Sequence, residues 1–186
     1  LPVVLTRGEG VYVWDVEGKK YYDFLSAYSA VNQGHCHPTI IKALNEQASK
    51  LTLTSRAFYN DVLGNYEKYV TDYFGFDKVL PMNTGAEAVE TAIKLCRKYA
   101  YEKKGIPENE AQIIVCENNF HGRTTTIISF SNDEDARKNF GPFTAGFIKI
   151  EYDNLAALEN ILKTTKNIAG FLVEPIQGEA GVFVPS

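Results

Sequence analysis

The chain is short of cysteine, of long apolar runs and of clustered basic charge, and each shortage removes a class of function. Only Cys36, Cys96 and Cys116 occur, widely spaced and without a Cys-x-x-Cys pair. A disulfide framework is thereby excluded, and free thiols in a reducing, cytoplasmic compartment are expected. No run of about 18 apolar residues is present, nor a charged stretch leading into an apolar one, so no membrane helix and no signal peptide are expected. The chain opens at Leu1-Pro2 rather than Met, so a removed presequence, such as one directing it to the mitochondrial matrix, would be invisible here. The net charge is −4 and the basic residues are dispersed beyond pairs such as Arg97-Lys98, which excludes a polyanion-binding surface, nucleic acid included. Gly-x-Gly-x-x-Gly, Gly-x-x-x-x-Gly-Lys-Ser/Thr and Gly-x-Ser-x-Gly are all missing, which counts against dinucleotide, nucleoside triphosphate and α/β-hydrolase chemistry. His35-Cys36-His37 looks like a metal fragment, yet the chain has three histidines in all and no partner set at ligand spacing, so no metal site is expected.

What is present is a globular chain of 186 residues, 45% hydrophobic and 12% aromatic, enough to bury a sizeable core. Val3 to Leu5, Val11 to Trp14 and Lys20 to Phe24, separated by Gly8-Glu9-Gly10 and Glu17-Gly18, predict a small antiparallel meander over residues 1–30. Helices are expected from Pro38 to about Leu51 and from about Asn60 to Phe74, the second closed by Gly75. Strand and helix then alternate. Strands are expected at Val79 to Met82, Gln112 to Cys116, Phe147 to Tyr152 and Phe171 to Glu174, with a helix from Gly85 and another capped near Asp153. Such alternation predicts an α/β fold with a mostly parallel sheet flanked by helices, in which ligands gather outside the carboxyl ends of the strands. The stretch from Lys103 to Glu110 reads as a solvated loop.

The Asn83-Thr84-Gly85 turn opens a helix whose first amides lack intrahelical acceptors, and the aligned peptide dipoles add positive potential there. Gly85 and Ala86 are thus candidates to hold a phosphate. On the same rim, Asn119-Phe120-His121-Gly122-Arg123 offers an aromatic, an imidazole and a guanidinium to a planar, carboxylate-bearing ligand. Glu174 and Glu179 lie on a Gly-rich loop, Glu174-Pro175-Ile176-Gln177-Gly178-Glu179. Two carboxylates suggest glycosidase chemistry, but that reading leaves the Gly85 turn and Arg123 unused, whereas an anionic cofactor engages all three loops.

Asn32-Gln33-Gly34-His35-Cys36-His37-Pro38, Asn83-Thr84-Gly85-Ala86-Glu87-Ala88, Asn119-Phe120-His121-Gly122-Arg123-Thr124 and Glu174-Pro175-Ile176-Gln177-Gly178-Glu179 together resemble the class III pyridoxal-phosphate aminotransferases, in the same order. Ser26 to Gln33, Ser55 to Asn60 and Phe140 to Phe143 resemble the members acting on ornithine more than those acting on acetylornithine or 4-aminobutyrate. The resemblance implies the large domain of a fold type I enzyme, with residues 31–186 its first part, that moves the δ-amino group of L-ornithine to 2-oxoglutarate. It implies pyridoxal 5'-phosphate (PLP) held by the Gly85 and Ala86 amides, stacked on Phe120 beside His121, with Glu174 as the catalytic-site carboxylate orienting hydrogen bonds. It implies Arg123 on the α-carboxylate of ornithine, Tyr28 at the α-amino end, and Glu179 pairing with an arginine further along the family's chain. Some ornithine members carry Trp where His121 stands. The Schiff-base lysine and the aspartate on the pyridinium nitrogen match no motif here and are expected beyond Ser186, so the isolated chain is not expected to transaminate. That leaves a noncatalytic phosphate-binding or assembly module as the other class of reading for the fragment. The family forms homodimers, and the aromatic segment Tyr59 to Phe76 serves core or interface equally.

Overall fold

Aromatic and β-branched residues broken by turn glycines fold into the expected antiparallel meander, β1 (Leu5–Glu9), β2 (Tyr12–Asp15) and β3 (Lys20–Tyr22), paired in that order. The computed structural model describes residues 2–186, and the chain divides into two compact units, one up to Val79 and one from Leu80 to Ser186. The meander belongs to the first. Its buried carboxylate, Asp15, accepts from the Tyr21 hydroxyl at 2.7 Å and from the Lys19 and Glu17 amides at 2.9 and 3.0 Å. Those donors, the tyrosine first, hold the Asp15 carboxyl below its ordinary value and remove the penalty of an unpaired buried charge.

Past β3 the chain enters a conformation that the sequence does not advertise. Ser26, Ala27, Tyr28 and Ser29 all have positive φ, from 48° to 69°, a left-handed turn that costs L-residues about 1–2 kcal/mol each. Helix α1 (Pro38–Lys50) follows, with Pro38 in its first turn as expected. Helix α2 is Leu63–Phe74 rather than starting at Asn60, because Asn60 Oδ1 accepts the Val62 and Leu63 amides at 3.1 and 2.8 Å and so sits outside the helix. Gly75 takes φ 72° and closes it. No residue of either helix is buried.

In the second unit α3 (Gly85–Lys103) precedes β4 (Gln112–Cys116), a 3-10 turn (Ile127–Phe130), α4 (Glu134–Arg137), β5 (Phe147–Ile150), α5 (Leu155–Thr164) and β6 (Ile168–Leu172). The sheet order is β5-β4-β6, and both pairings are parallel. Alternation along β4 sorts its side chains by face. Ile113 and Val115 pack with Ile93, Ala100, Ile127 and Phe130, while Ile114 and Cys116 pack with Ile150, Ile168 and the apolar side of α5. The sheet is therefore covered on both faces, and each fully buried Ile, Val or Phe contributes about 1.5–3 kcal/mol. The face expected for α3, Ala86, Val89, Ile93, Cys96 and Ala100, is the one that packs.

Strand boundaries differ from expectation, β5 ending at Ile150 rather than Tyr152. Val79 to Met82 is not a strand: a ladder needs a neighbouring backbone, the described residues provide none, and Leu80 is 63% exposed. The last strand is Ile168–Leu172, not Phe171 to Glu174, because its pairing with β4 begins at Gln112 opposite Ile168. The cap of α5 falls near Asp153 as expected, at Asn154, whose Oδ1 accepts the Ala157 amide at 2.9 Å.

Gly170 of β6 lies under α3, where an added Cβ would stand 2.6 Å from Cys96 Sγ. Gly170→Ala is expected to cost about 1–3 kcal/mol by overpacking, and Cys96→Ala in the same chain to recover most of it. Urea unfolding of the two single variants and the double variant measures this, and additive losses would contradict the contact.

Candidate functional site

The start of α3 is built by a reciprocal cap. Thr84 Oγ1 accepts the Glu87 amide at 3.1 Å, and Glu87 Oε2 reaches back to accept the Asn83 amide at 2.9 Å. This is a capping box shifted by one residue. It consumes the Asn83 and Glu87 donors and leaves the Gly85 and Ala86 amides without an acceptor among the described residues. A Cβ at Gly85 would meet nothing within 4 Å, so no neighbour crowds the position, and the two amides sit at the positive end of a 19-residue helix.

The loop after β4 lies on this helix start. Gly122 has φ 120°, and a Cβ there would stand 3.1 Å from both Ala86 Cβ and Ile127 Cδ1, so only glycine permits the approach. Thr124 Oγ1 donates to Glu90 of α3 and accepts the Ile127 amide at 3.2 Å, fixing the loop from its other side. The Phe120 amide donates to Glu174 Oε2 at 3.1 Å, which ties the loop after β4 to the loop after β6. Tyr152, beyond β5, donates its hydroxyl to the carbonyls of Glu174 and Pro175 at 3.1 and 3.0 Å. Three carboxyl-terminal loops and one helix start are thus joined by named contacts on one rim of the sheet.

Electrostatics separate the polar groups of this rim. Burial raises the Glu174 carboxyl above its ordinary value, opposed by the hydrogen bond from the Phe120 amide. Burial lowers the His121 imidazole, and its Nε2 is enclosed without a partner, so a neutral ring is favoured. The Arg123 guanidinium lies 5.2 Å from the centroid of the Phe120 ring, within cation–π range. Arg123, Phe120, Asn118, Asp133, Glu179 and Phe183 line a cavity of about 340 Å³, and Arg123 also borders a second of about 420 Å³ with Asp133 and Asp135. One cation among carboxylates suits a zwitterionic small molecule. Two free amides, an aromatic ring 40% exposed and a half-buried carboxylate suit a planar group that carries a phosphate.

Of the residues singled out in the sequence, Gly85, Ala86, Phe120, His121, Arg123, Glu174 and Glu179 all belong to the second unit, and the contacts above link their loops. Tyr28 is in the first unit, 78% exposed, inside the left-handed turn. Residue-type reasoning missed the polar groups that shape the loops from beneath. Asn119, 7% exposed, donates Nδ2 to the Cys116 and Phe130 carbonyls at 2.6 and 3.1 Å, and Gln177, 2% exposed, donates Nε2 to the Glu117 carbonyl at 2.8 Å. The one available signal was an amide residue within each motif, and amides are ordinarily exposed.

Over residues 1–186 the chain matches the family model described as aminotransferase class-III. It is 68% identical over 186 residues to a Drosophila ananassae protein named ornithine aminotransferase, mitochondrial, covering 100% of this chain and 43% of that one. A structure of the ornithine aminotransferase of Toxoplasma gondii, crystallised with oxidised glutathione and with PLP at partial occupancy in its active site, is 55% identical with a TM-score of 0.95, covering 100% of this chain and 44% of that one. The crystal structure of an acetylornithine aminotransferase from Elizabethkingia anophelis is 73% identical with a TM-score of 0.84, covering 100% and 45%. The chain therefore spans under half the length of the relatives it matches, and over that span it has their fold.

Glu174 gives the site a pH signature. Its folded-state proton affinity is raised by burial, so the stability linked to it is present below the ordinary value of 4.5 and is lost as pH rises through the folded value. Glu174→Gln keeps an oxygen for the Phe120 amide. It is expected to unfold at higher denaturant than the parent at neutral pH, with the gap closing towards about pH 4. A gap independent of pH, measured by urea titration across that range, would contradict the burial argument.

Proposed function

Because the chain belongs to the class-III aminotransferase family, we propose that the polypeptide it forms part of is a PLP-dependent ornithine aminotransferase. It transfers the δ-amino group of L-ornithine to 2-oxoglutarate, giving glutamate 5-semialdehyde and glutamate. The observation that carries this reading is the joined rim, where the free Gly85 and Ala86 amides, the Phe120 ring and the Glu174 carboxylate belong to loops in mutual contact. When bound, the cofactor supplies an electron sink for the amino-group transfer. The chain's own residues bind and orient. Gly85 and Ala86 donate to the phosphate, Phe120 covers the ring, and His121 adds a neutral, partly enclosed edge beside it. Glu174, held by the Phe120 amide, presents its other oxygen to the cofactor's polar substituents. Arg123 grips the α-carboxylate of ornithine by its fork of donors, and the resemblance assigns Tyr28 to the α-amino end. Glu179 governs when an arginine elsewhere in the polypeptide is free for the second, doubly anionic substrate.

The name carried by the fly relative favours ornithine as the donor. The 73% identity to a protein called acetylornithine aminotransferase supports a second reading, in which the donor is acetylated at its α-amino group. The free cysteines suit the cytoplasm, and the mitochondrial designation of the fly relative suits the mitochondrial matrix instead. None of the described helices is long and apolar enough to cross a membrane. A homodimer is part of the same proposal, supported by exposed aromatic residues along α2 such as Tyr69 and Tyr73.

The test is an assay of the full-length polypeptide with 2-oxoglutarate and, in turn, ornithine, acetylornithine and 4-aminobutyrate. The highest kcat/KM is expected for ornithine. Preference for acetylornithine would establish the second reading, and turnover of none would overturn both. Arg123→Ala is expected to raise the KM for ornithine by about 30- to 100-fold, the loss of a charge-assisted bidentate contact, and an unchanged KM would remove Arg123 from carboxylate binding.

A further inference from the structure

The left-handed turn at Ser26–Ser29 has no glycine to ease it, and it carries Tyr28. Four consecutive L-residues at φ 48°, 48°, 56° and 69° do not hold that shape unaided, since the side chains crowd the following carbonyls. Tyr28 is 78% exposed, so packing within its unit does not place the side chain, and the backbone of the turn sets the point and direction from which it projects. Backbone bonds close the turn, from the Tyr28 amide to the Leu25 carbonyl at 2.9 Å and from the Val31 amide to the Ser26 carbonyl at 3.1 Å, and side chains tether its amino-terminal side. Asp23 Oδ1 accepts the Ser26 amide at 2.9 Å and the Leu25 amide at 3.2 Å, and the Ser26 hydroxyl donates to the Asp23 carbonyl at 3.2 Å. Asp23 Oδ2 accepts from His35 Nε2 at 2.7 Å, with both side chains mostly out of solvent.

His35 is itself anchored to the meander. Its amide and carbonyl exchange hydrogen bonds with Gly10 at 2.8 and 2.9 Å. Its ring lies so close over Gly8 of β1 that a Cβ there would be 2.7 Å from His35 Cγ. A continuous chain of contacts thus runs from β1 through His35 and Asp23 to the first amide of the turn. We propose that Asp23 and His35 are positioning residues that, by pinning the left-handed turn, set the backbone from which Tyr28 is presented to the α-amino end of the substrate. The inference rests on the role given to Tyr28 above. It adds a specificity device that touches no substrate atom.

Ala27 supplies an independent handle, because it is exposed and sits at φ 48° in the middle of the turn. Glycine there adopts positive φ freely, and a β-branched residue resists it. In the full-length enzyme, Asp23→Ala and His35→Ala are expected to raise the KM for ornithine by about tenfold, the worth of one misplaced hydrogen bond. The kcat and the KM for 2-oxoglutarate, which has no α-amino group, should stay within about twofold. His35→Gln, which still donates to Asp23, should restore the parent KM. Ala27→Val should reproduce the ornithine defect without touching the pair, which keeps the test decisive should either alanine variant fail to fold. Ala27→Gly placed in the Asp23→Ala chain should recover most of the lost affinity. The proposal is overturned if Ala27→Val leaves the ornithine KM unchanged, if kcat and both KM values worsen together, or if neither His35→Gln nor Ala27→Gly rescues. Tyr28→Phe separates the two failures: no change in ornithine KM removes the role of Tyr28 itself, while a rise in that variant with none in Ala27→Val removes only the positioning device.

Discussion

Parallel pairing of β4 with β5 on one side and β6 on the other is the constraint from which the candidate site follows. Parallel strands end on the same rim, so the segments that leave Cys116, Ile150 and Leu172 must emerge together. Each emerging loop carries backbone donors and acceptors that lose water as the loops meet. The structure satisfies them from within the rim: Asn119 on Cys116 and Phe130, Gln177 on Glu117, Tyr152 on Glu174 and Pro175, and Glu174 on Phe120. Side chains that bond loop to loop are held before any ligand arrives, which is what a binding site requires of its supports.

The exceptions to that satisfaction are as informative as the bonds. The amides of Gly85 and Ala86 are free because the cap at Thr84 and Glu87 serves Asn83 and Glu87 instead. His121 Nε2 is enclosed and unpaired, and the Glu174 carboxyl is raised by burial yet retains only one amide donor. Unused capacity at three places on joined loops is expected of a surface that completes itself with a ligand.

Much of this was legible in the residues, for identifiable reasons. The face of α3 could be read because helical spacing of Ala86, Val89, Ile93, Cys96 and Ala100 has one solution, and β4 because a run of Ile, Ile, Val and Cys buried on both faces suits a central parallel strand. Val79 to Met82 misled because an apolar extended segment becomes a strand only with a neighbour, which composition does not reveal. The start of α2 is not legible at Asn60 because an Asx turn and a helix cap use the same residue type. The residues of the rim were found through motifs, while Asn119, Gln177 and Tyr152, which hold those residues, have roles defined only by distances. The left-handed turn at Ser26–Ser29 was least legible of all, since no residue in it prefers positive φ.

The two units carry different kinds of order. The second has a closed apolar core around Ile113, Ile114, Val115 and Phe130, and the first relies on meander hydrogen bonds, a satisfied Asp15 and the Asp23–His35 pair. The central claim is that backbone donors at the start of α3 receive the phosphate of PLP. A crystal structure of the full-length polypeptide soaked with PLP tests it most directly. The account predicts phosphate oxygens within hydrogen-bonding distance of the Gly85 and Ala86 amides and the ring against Phe120; a phosphate lodged elsewhere, with those amides still bonded to water, would contradict it.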